Sequence, residues 1–129
     1  MITVGIPVYN EEKSISKCIN SVLVQISKDD EVIVVASGCT DNTIPEIRKI
    51  AEKDKRIKLI IEDERRGKSS ALNKIIDNAK SDIIVQTDGD VFVENGAINK
   101  LINHFNNKQI GGVSGNPIPI ILKKNIFYY

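Results

Sequence analysis

The chain has 129 residues, 41% hydrophobic and 27% charged, which suits a single globular domain whose core needs no covalent staples. Its 18 basic and 17 acidic residues leave a net charge of +1, which excludes the basic field of a nucleic-acid binder and any acidic tail. Two cysteines, Cys18 and Cys39, make no disulfide framework and fit a reducing, cytoplasmic setting; no apolar run approaches the ~20 residues of a membrane span, and the N-terminus enters a strand pattern with no visible signal peptide.

Ile2 to Val8 is apolar and β-branched and predicts a buried first strand. Asn10 suits a helix N-cap, with Glu11 and Glu12 in a first turn where the helix dipole favours acids. Ile15, Cys18, Ile19, Val22, Leu23 and Ile26 recur at three- and four-residue steps, one apolar face of a helix ending near Ser27. Cys18 lies on that face and reads as core. Asp29-Asp30 turns the chain into a second strand, Glu31 to Ala36, whose continuous Val32-Ile33-Val34-Val35 run suits a parallel strand covered on both faces. A polar loop, Ser37 to Thr43, leads to a second helix with Pro45 in its first turn and Ile44, Ile47, Ile50 and Ala51 inward.

Ile57 to Ile61 is a third strand, and the charged loop Glu62 to Lys68 precedes a helix from about Ser69 to Ala79 with Ala71, Leu72, Ile75, Ile76 and Ala79 inward. A short fourth strand, Ile83 to Gln86, runs into Asp88-Gly89-Asp90. Val91 to Val93 extends, and Glu94-Asn95-Gly96 starts a fourth helix with Ile98, Leu101, Ile102 and Phe105 inward. Gly111 to Gly115 reads as a short fifth strand and Asn116-Pro117-Ile118-Pro119 extends away. The stretch Ile120 to Tyr129 is apolar and aromatic, without an obvious partner.

Strands that alternate with helices imply an α/β fold, a mostly parallel sheet with helices on both faces in three layers. Ligands of such sheets bind beyond the carboxyl ends of the strands. The unusual side chains follow strands: Pro7 to Glu12 the first, Ser37 to Thr43 the second, Arg65 to Lys68 the third, and Asp88-Gly89-Asp90 the fourth. One rim of the sheet is therefore the expected site.

In extended backbone, Asp88 and Asp90 point the same way. Two acids aimed at one point suit a hard divalent cation, Mg²⁺ or Mn²⁺; taken alone, a simple Asp-Gly turn explains them as well. Arg65, Arg66 and Lys68 beside Gly67 suit a diphosphate. Tyr9 offers a ring for stacking a base, and Asp41, Asn42 and Asn73 can bind hydroxyls or a base. Metal, diphosphate and base together describe a nucleotide-linked substrate, the metal stabilising charge on the departing diphosphate. Plainer readings stand beside these: Tyr9 packing on the first helix, and Arg65, Arg66 and Lys68 pairing with Glu62, Asp63 and Glu64. Gly67-Lys68-Ser69 lacks the earlier glycine of a P-loop, Gly111 to Gly115 opens no helix as a dinucleotide fingerprint would, and the single histidine, His104, reads as a surface residue.

Four segments together resemble the family-2 glycosyltransferases: Pro7-Val8-Tyr9-Asn10-Glu11-Glu12, Gly38-Cys39-Thr40-Asp41-Asn42-Thr43, Arg66-Gly67-Lys68-Ser69-Ser70-Ala71-Leu72-Asn73, and Asp88-Gly89-Asp90 as the Asp-X-Asp metal motif. They occur in the family's order over residues 1 to about 115. The resemblance implies a Rossmann-like nucleotide-sugar-binding domain of the GT-A type over residues 1–129, with a core to 115 and an apolar tail over 116–129. It implies inverting transfer of a sugar from a nucleotide-diphospho-sugar to an acceptor hydroxyl on a glycan, lipid carrier or protein, with Mg²⁺ or Mn²⁺. By the same analogy Pro7, Tyr9 and Glu11 line the nucleotide pocket, Lys68 sits near the donor, Asp88 contacts the nucleoside, and Asp90 reaches the metal and diphosphate.

Two departures stand out. Ala36-Ser37 replaces the family's acidic pair, so Ser37 holds the position that commonly reads the base. The family's catalytic base lies in an acceptor-binding half, well beyond the metal motif, and Tyr129 precedes that region; Glu94 is too close to the motif to stand in for it. The expectation is the donor half of an enzyme, whose tail packs on the missing half or on another copy, with membrane association through a partner or the missing region. Two other readings remain: a non-catalytic nucleotide-sugar-binding or assembly module, and a nucleotidyltransferase. The latter requires a glycine-rich basic loop where Tyr9-Asn10-Glu11-Glu12 stands.

Overall fold

The computed structural model describes residues 1–119. Four parallel strands form one sheet: β1 (Thr3–Val8), β2 (Glu31–Ser37), β3 (Ile57–Glu62) and β4 (Ile84–Gln86), in the order β3-β2-β1-β4. The helices are α1 (Ile15–Leu23), α2 (Thr43–Ala51), α3 (Lys68–Asn78) and α4 (Ala97–Asn103), the last extended by a 3-10 turn over His104–Asn106.

β1 and β2 are buried along their whole length because both are interior strands with helices above and below, which explains their continuous apolar runs. Strand side chains alternate between faces, and the two faces are covered unequally. On one, Val4, Ile6, Val8, Val32, Val34 and Ala36 pack against Ile15, Cys18, Ile19 and Val22 of α1, Ile47 of α2 and Ile98 of α4. On the other, Ile33 and Val35 meet Ala71 and Ile75 of α3 alone.

Several expectations are corrected. Asn10 caps no helix: α1 starts at Ile15 with Ser14 before it, and Asn10 sits at φ 49°, in the left-handed region. Glu11 and Glu12 therefore precede the helix, whose last residue is Leu23 rather than one near Ser27. Ile26 still packs against the core from the turn beyond. In α3 the inward stripe is Ala71 and Ile75, flanked by Leu72 and Ala79; Ile76 falls past the edge of that stripe and is 59% exposed. The expected fifth strand, Gly111 to Gly115, has no regular structure. Its glycines bring no side chains to pack, so only Val113 and Ser114 remain to hold a strand there. The apolar tail from Ile120, and any contact it makes with a missing half or a second copy, lies outside the described residues.

Candidate functional site

A cleft of about 310 Å³ lies at the carboxyl ends of β1, β2 and β4, lined by residues that include Pro7, Tyr9, Glu11, Ser37, Arg65, Lys68, Asp88 and Asp90. Eight of the ten predicted site residues thus converge. Asp41 and Asn73 do not line it. Asp41 turns inward to its own loop: its carboxylate accepts the Thr43 hydroxyl at 2.6 Å and amide at 3.0 Å, and the Glu12 amide at 3.3 Å. Asn73 lies on the exposed side of α3, opposite the Ala71–Ile75 stripe. A larger concavity of about 540 Å³, lined by Lys28, Asp30, Asp54, Arg56, Lys58 and Lys80 among others, sits at the amino ends of the strands. Open parallel sheets do not place their ligand sites there.

The loops after β1, β2 and β3 are clasped together. Asn10 Oδ1 accepts the amides of Thr40 (2.8 Å) and Asp41 (3.4 Å), its Nδ2 donates to the Thr40 hydroxyl (3.1 Å), and the Glu11 amide donates to the Thr43 hydroxyl (2.8 Å). Gly38, at φ 63°, lies so close to the next loop that a Cβ there would stand 2.4 Å from the Arg65 backbone nitrogen. Ser37 is buried, and its Oγ accepts the Arg66 amide at 2.9 Å. This bracing holds Arg65 over Tyr9, its guanidinium carbon 3.9 Å from the ring centroid. The Tyr9 ring is capped by a cation, an arrangement that also suits stacking with a flat ligand.

At the other end stand the two acids. Asp88 Oδ1 is 2.6 Å from Lys68 Nζ and accepts Gln86 Nε2 at 3.1 Å. Lys68 thus pairs across the cleft and not with Glu62, Asp63 or Glu64. Asp90 is exposed, and the described residues supply it with no hydrogen bond or ion pair. Gly89 between them is buried for lack of room: a Cβ would lie 2.9 Å from Val8 Cγ2 and 3.4 Å from Ile15 Cδ1. The Asp88 carbonyl accepts the Cys18 thiol at 3.3 Å. Burial, and then the charges of Asp90 and Asp88, push that thiol up to about 12, so it stays protonated and inert.

Among the described residues no three of His, Cys, Asp and Glu gather into an all-protein metal cage. Two hard carboxylates at a cleft do fit Mg²⁺ or Mn²⁺, which bind through one or two carboxylates and complete their shell with water and substrate phosphates. Of the two, Asp90 is the carboxylate left open, whereas Asp88 Oδ1 is already paired with Lys68. Sequence reasoning missed Asn10, read as a cap, and Gln86, which holds Asp88. The signal for Gln86 was its place two residues before Asp88, on the same side of an extended chain.

Comparison with known proteins fits this geometry. The description "Glycosyl transferase family 2" matches residues 3–128. The chain is 32% identical to glycosyltransferase GlyA of Streptococcus pneumoniae serotype 4 over 99% of its own length and 18% of that protein's. It is 34% identical to poly-beta-1,6-N-acetyl-D-glucosamine synthase of Staphylococcus aureus, over 90% of this chain and 28% of that one. Among solved structures it resembles the mannosyltransferase PcManGT from Pyrobaculum calidifontis in complex with GDP-Man and Mn²⁺, with TM-score 0.72 and 35% identity over 78% of this chain and 31% of that one. It also shares its fold with S. aureus TarS 1-349 in complex with UDP-GlcNAc, at TM-score 0.74 and 22% identity over 96% of this chain and 38% of that one. The chain thus spans less than half the length of each of these relatives. With a GT-A sheet and the Asp-X-Asp pair in its cleft, the chain belongs to glycosyl transferase family 2.

Proposed function

We propose that this chain is the donor-binding part of an inverting sugar transferase, and that a nucleotide-diphospho-sugar occupies the 310 Å³ cleft. One observation carries the reading. An open acid pair with a lysine, and a tyrosine capped by an arginine, stand at opposite ends of one cleft on the carboxyl side of a parallel sheet. The charged end lies beyond β4 and the aromatic end beyond β1 and β2.

In this reading Tyr9 and Arg65 hold the base, while Lys68 neutralises one phosphate. Asp90, with Asp88, would hold a divalent cation, which supplies charge stabilisation for the departing nucleoside diphosphate. Fixing the donor with its anomeric carbon facing the open side presents it to an acceptor hydroxyl opposite the diphosphate, and such positioning removes much of the entropic barrier. Glu11 lines the cleft, but its carboxylate accepts the Ser14 hydroxyl at 2.9 Å. We therefore assign no catalytic base within residues 1–119. That observation keeps a second reading in view, a module that binds donor without turning it over. Two free thiols accord with a reducing, cytoplasmic setting.

Thermal unfolding with UDP- and GDP-sugars, with and without Mn²⁺, tests the assignment. Ligand at 100 times Kd stabilises by about 2.7 kcal/mol. The expected gain needs Mn²⁺ and disappears in Asp90→Ala. A gain that ignores the metal, or survives that substitution, overturns the role given to Asp90. Hydrolysis or transfer by the chain alone would favour the enzyme over the module.

A further inference from the structure

The acid pair stands where the sheet has stopped supporting the chain. Thr87 makes the last bond to β1, its amide donating to the Gly5 carbonyl at 3.1 Å. Asp90 is exposed, and its carboxylate has no partner among the described residues, so only its backbone sets its direction. A ligand group works when held to within about 0.5 Å, which requires that something outside the sheet fix this backbone.

One side of α1 does so. Ser14, Cys18, Ser21 and Gln25 run from the residue before the helix to the turn beyond it, at the three- and four-residue steps that share a helix side. Each reaches the backbone of residues 88–93. The Cys18 thiol donates to the Asp88 carbonyl at 3.3 Å, and the Ser14 hydroxyl lies 3.2 Å from the Gly89 carbonyl. Ser21 Oγ accepts the Val93 amide at 3.0 Å, and Gln25 Nε2 donates to the Val93 carbonyl at 3.0 Å. Val93 is thus held through both its backbone groups. Gln25 also reaches onward, its Oε1 accepting the amide of Ile98 in the first turn of α4 at 3.4 Å. Ser21 is 6% exposed, and a buried hydroxyl is costly unless it is bonded; its proton goes to the Cys18 carbonyl at 2.7 Å. Neither Ser21 nor Gln25 lines the cleft.

We propose that Ser21 and Gln25 are positioning residues for the acid pair: by clamping Val93 to α1 they hold Asp90 in the one direction that serves a divalent cation at the cleft. This rests on the reading of the two acids as cation ligands. Without the clamp, the segment from Gly89 to the start of α4 is free to wander, and Asp90 points correctly only part of the time. Affinity for the cation falls by that fraction. The coupling is reciprocal, so a cation bound at Asp90 tightens the clamp in turn.

Mn²⁺ binding to the chain, followed by electron paramagnetic resonance, tests the proposal. Gln25→Met keeps the side-chain length without its hydrogen bonds, and Ser21→Ala removes the hydroxyl. Each is expected to weaken Mn²⁺ binding by about tenfold, the usual worth of contacts that orient a ligand group. Ile47→Val, which trims the core beneath α2, lowers stability without touching the clamp and should leave binding within about twofold. An equal loss in Ile47→Val would trace the effect to instability and overturn the proposal. So would binding unchanged in Gln25→Met while Asp90→Ala abolishes it, and that result leaves the reading of the acids standing. Binding that survives Asp90→Ala, or an unaltered chain that takes up no Mn²⁺, removes both. Hydrogen exchange on the unaltered chain requires no variant to fold: Mn²⁺ should slow exchange of the Val93 amide, and an exchange rate indifferent to Mn²⁺ overturns the clamp.

Discussion

At the β2 end of the cleft, buried side chains and backbone lock the loops onto one another, whereas at the β4 end the strand is short and the ion pair is exposed. β1 and β2 share six register pairs, as do β2 and β3, but β1 and β4 share only three. Asn10, Gly38 and Ser37 each fasten one loop to another by contacts made nearly thirty or more residues apart in sequence. Lys68 and Asp88, by contrast, are 54% and 47% exposed. Exposed pairs contribute at most about 1 kcal/mol. The Tyr9 end of the cleft is thus preformed with the fold, while the acid end is assembled from exposed charges that are free to change partners.

Substitutions at four positions break or sharpen that contrast. Gly38→Ala should be the most damaging. Its Cβ would stand 2.4 Å from the Arg65 nitrogen at a positive φ, and overpacking with left-handed strain costs about 3 kcal/mol, readable as a lowered urea midpoint. Asn10→Ala should cost less, about 2 kcal/mol, because it loses the clasp and adds strain at φ 49°. Asn10→Gly, which removes the clasp without the strain, should recover about half of that in the same measurement.

At the β4 end, Lys68→Met should change folding stability by less than about 1 kcal/mol. Mn²⁺ binding to the free chain, followed by electron paramagnetic resonance, should tighten as Asp88 is released, while affinity for a nucleoside diphosphate falls. A loss of both would show that Lys68 does not compete with the metal for Asp88. The smallest effect is in acid. At Asp41, burial pushes the carboxyl up, but hydrogen bonds from Thr43 and from the Glu12 amide outweigh it and hold it below the usual 3.8. A depressed folded pKa means that this stabilisation is complete above the ordinary value and is lost as pH falls through the lower folded one. Asp41→Asn should therefore flatten the stability curve below about pH 4, and a curve of unchanged slope there would deny Asp41 this role.

Most of the fold was legible in the chain because buried strands and amphipathic helices write their periods locally. Ile33 and Ile75 are core for reasons visible within a few residues of each. What failed depended on distance. Asn10 has the chemistry of a cap, but its side chain is used thirty residues away at Thr40, and no local pattern records that. Asp41 was read as facing a ligand and instead ties down the start of α2 through Thr43. Asn73 sits in a motif of the right composition but on the outer side of its helix. Convergence of Tyr9, Lys68 and the acid pair was foreseeable from topology alone, since each follows a parallel strand or opens the helix after one. Glu62 was read only as a loop charge, whereas it ends β3, beside Ser37 in the sheet.

The thiol of Cys18 has a practical consequence. It is sealed beneath the acid loop and keeps its proton, so an alkylating reagent can reach it only while that loop and α1 part. Cys39, half-buried, should react sooner and serve as the internal standard. The chain therefore carries its own chemical clock, whose slow hand measures how often the acid loop comes undone and whether an occupant slows it.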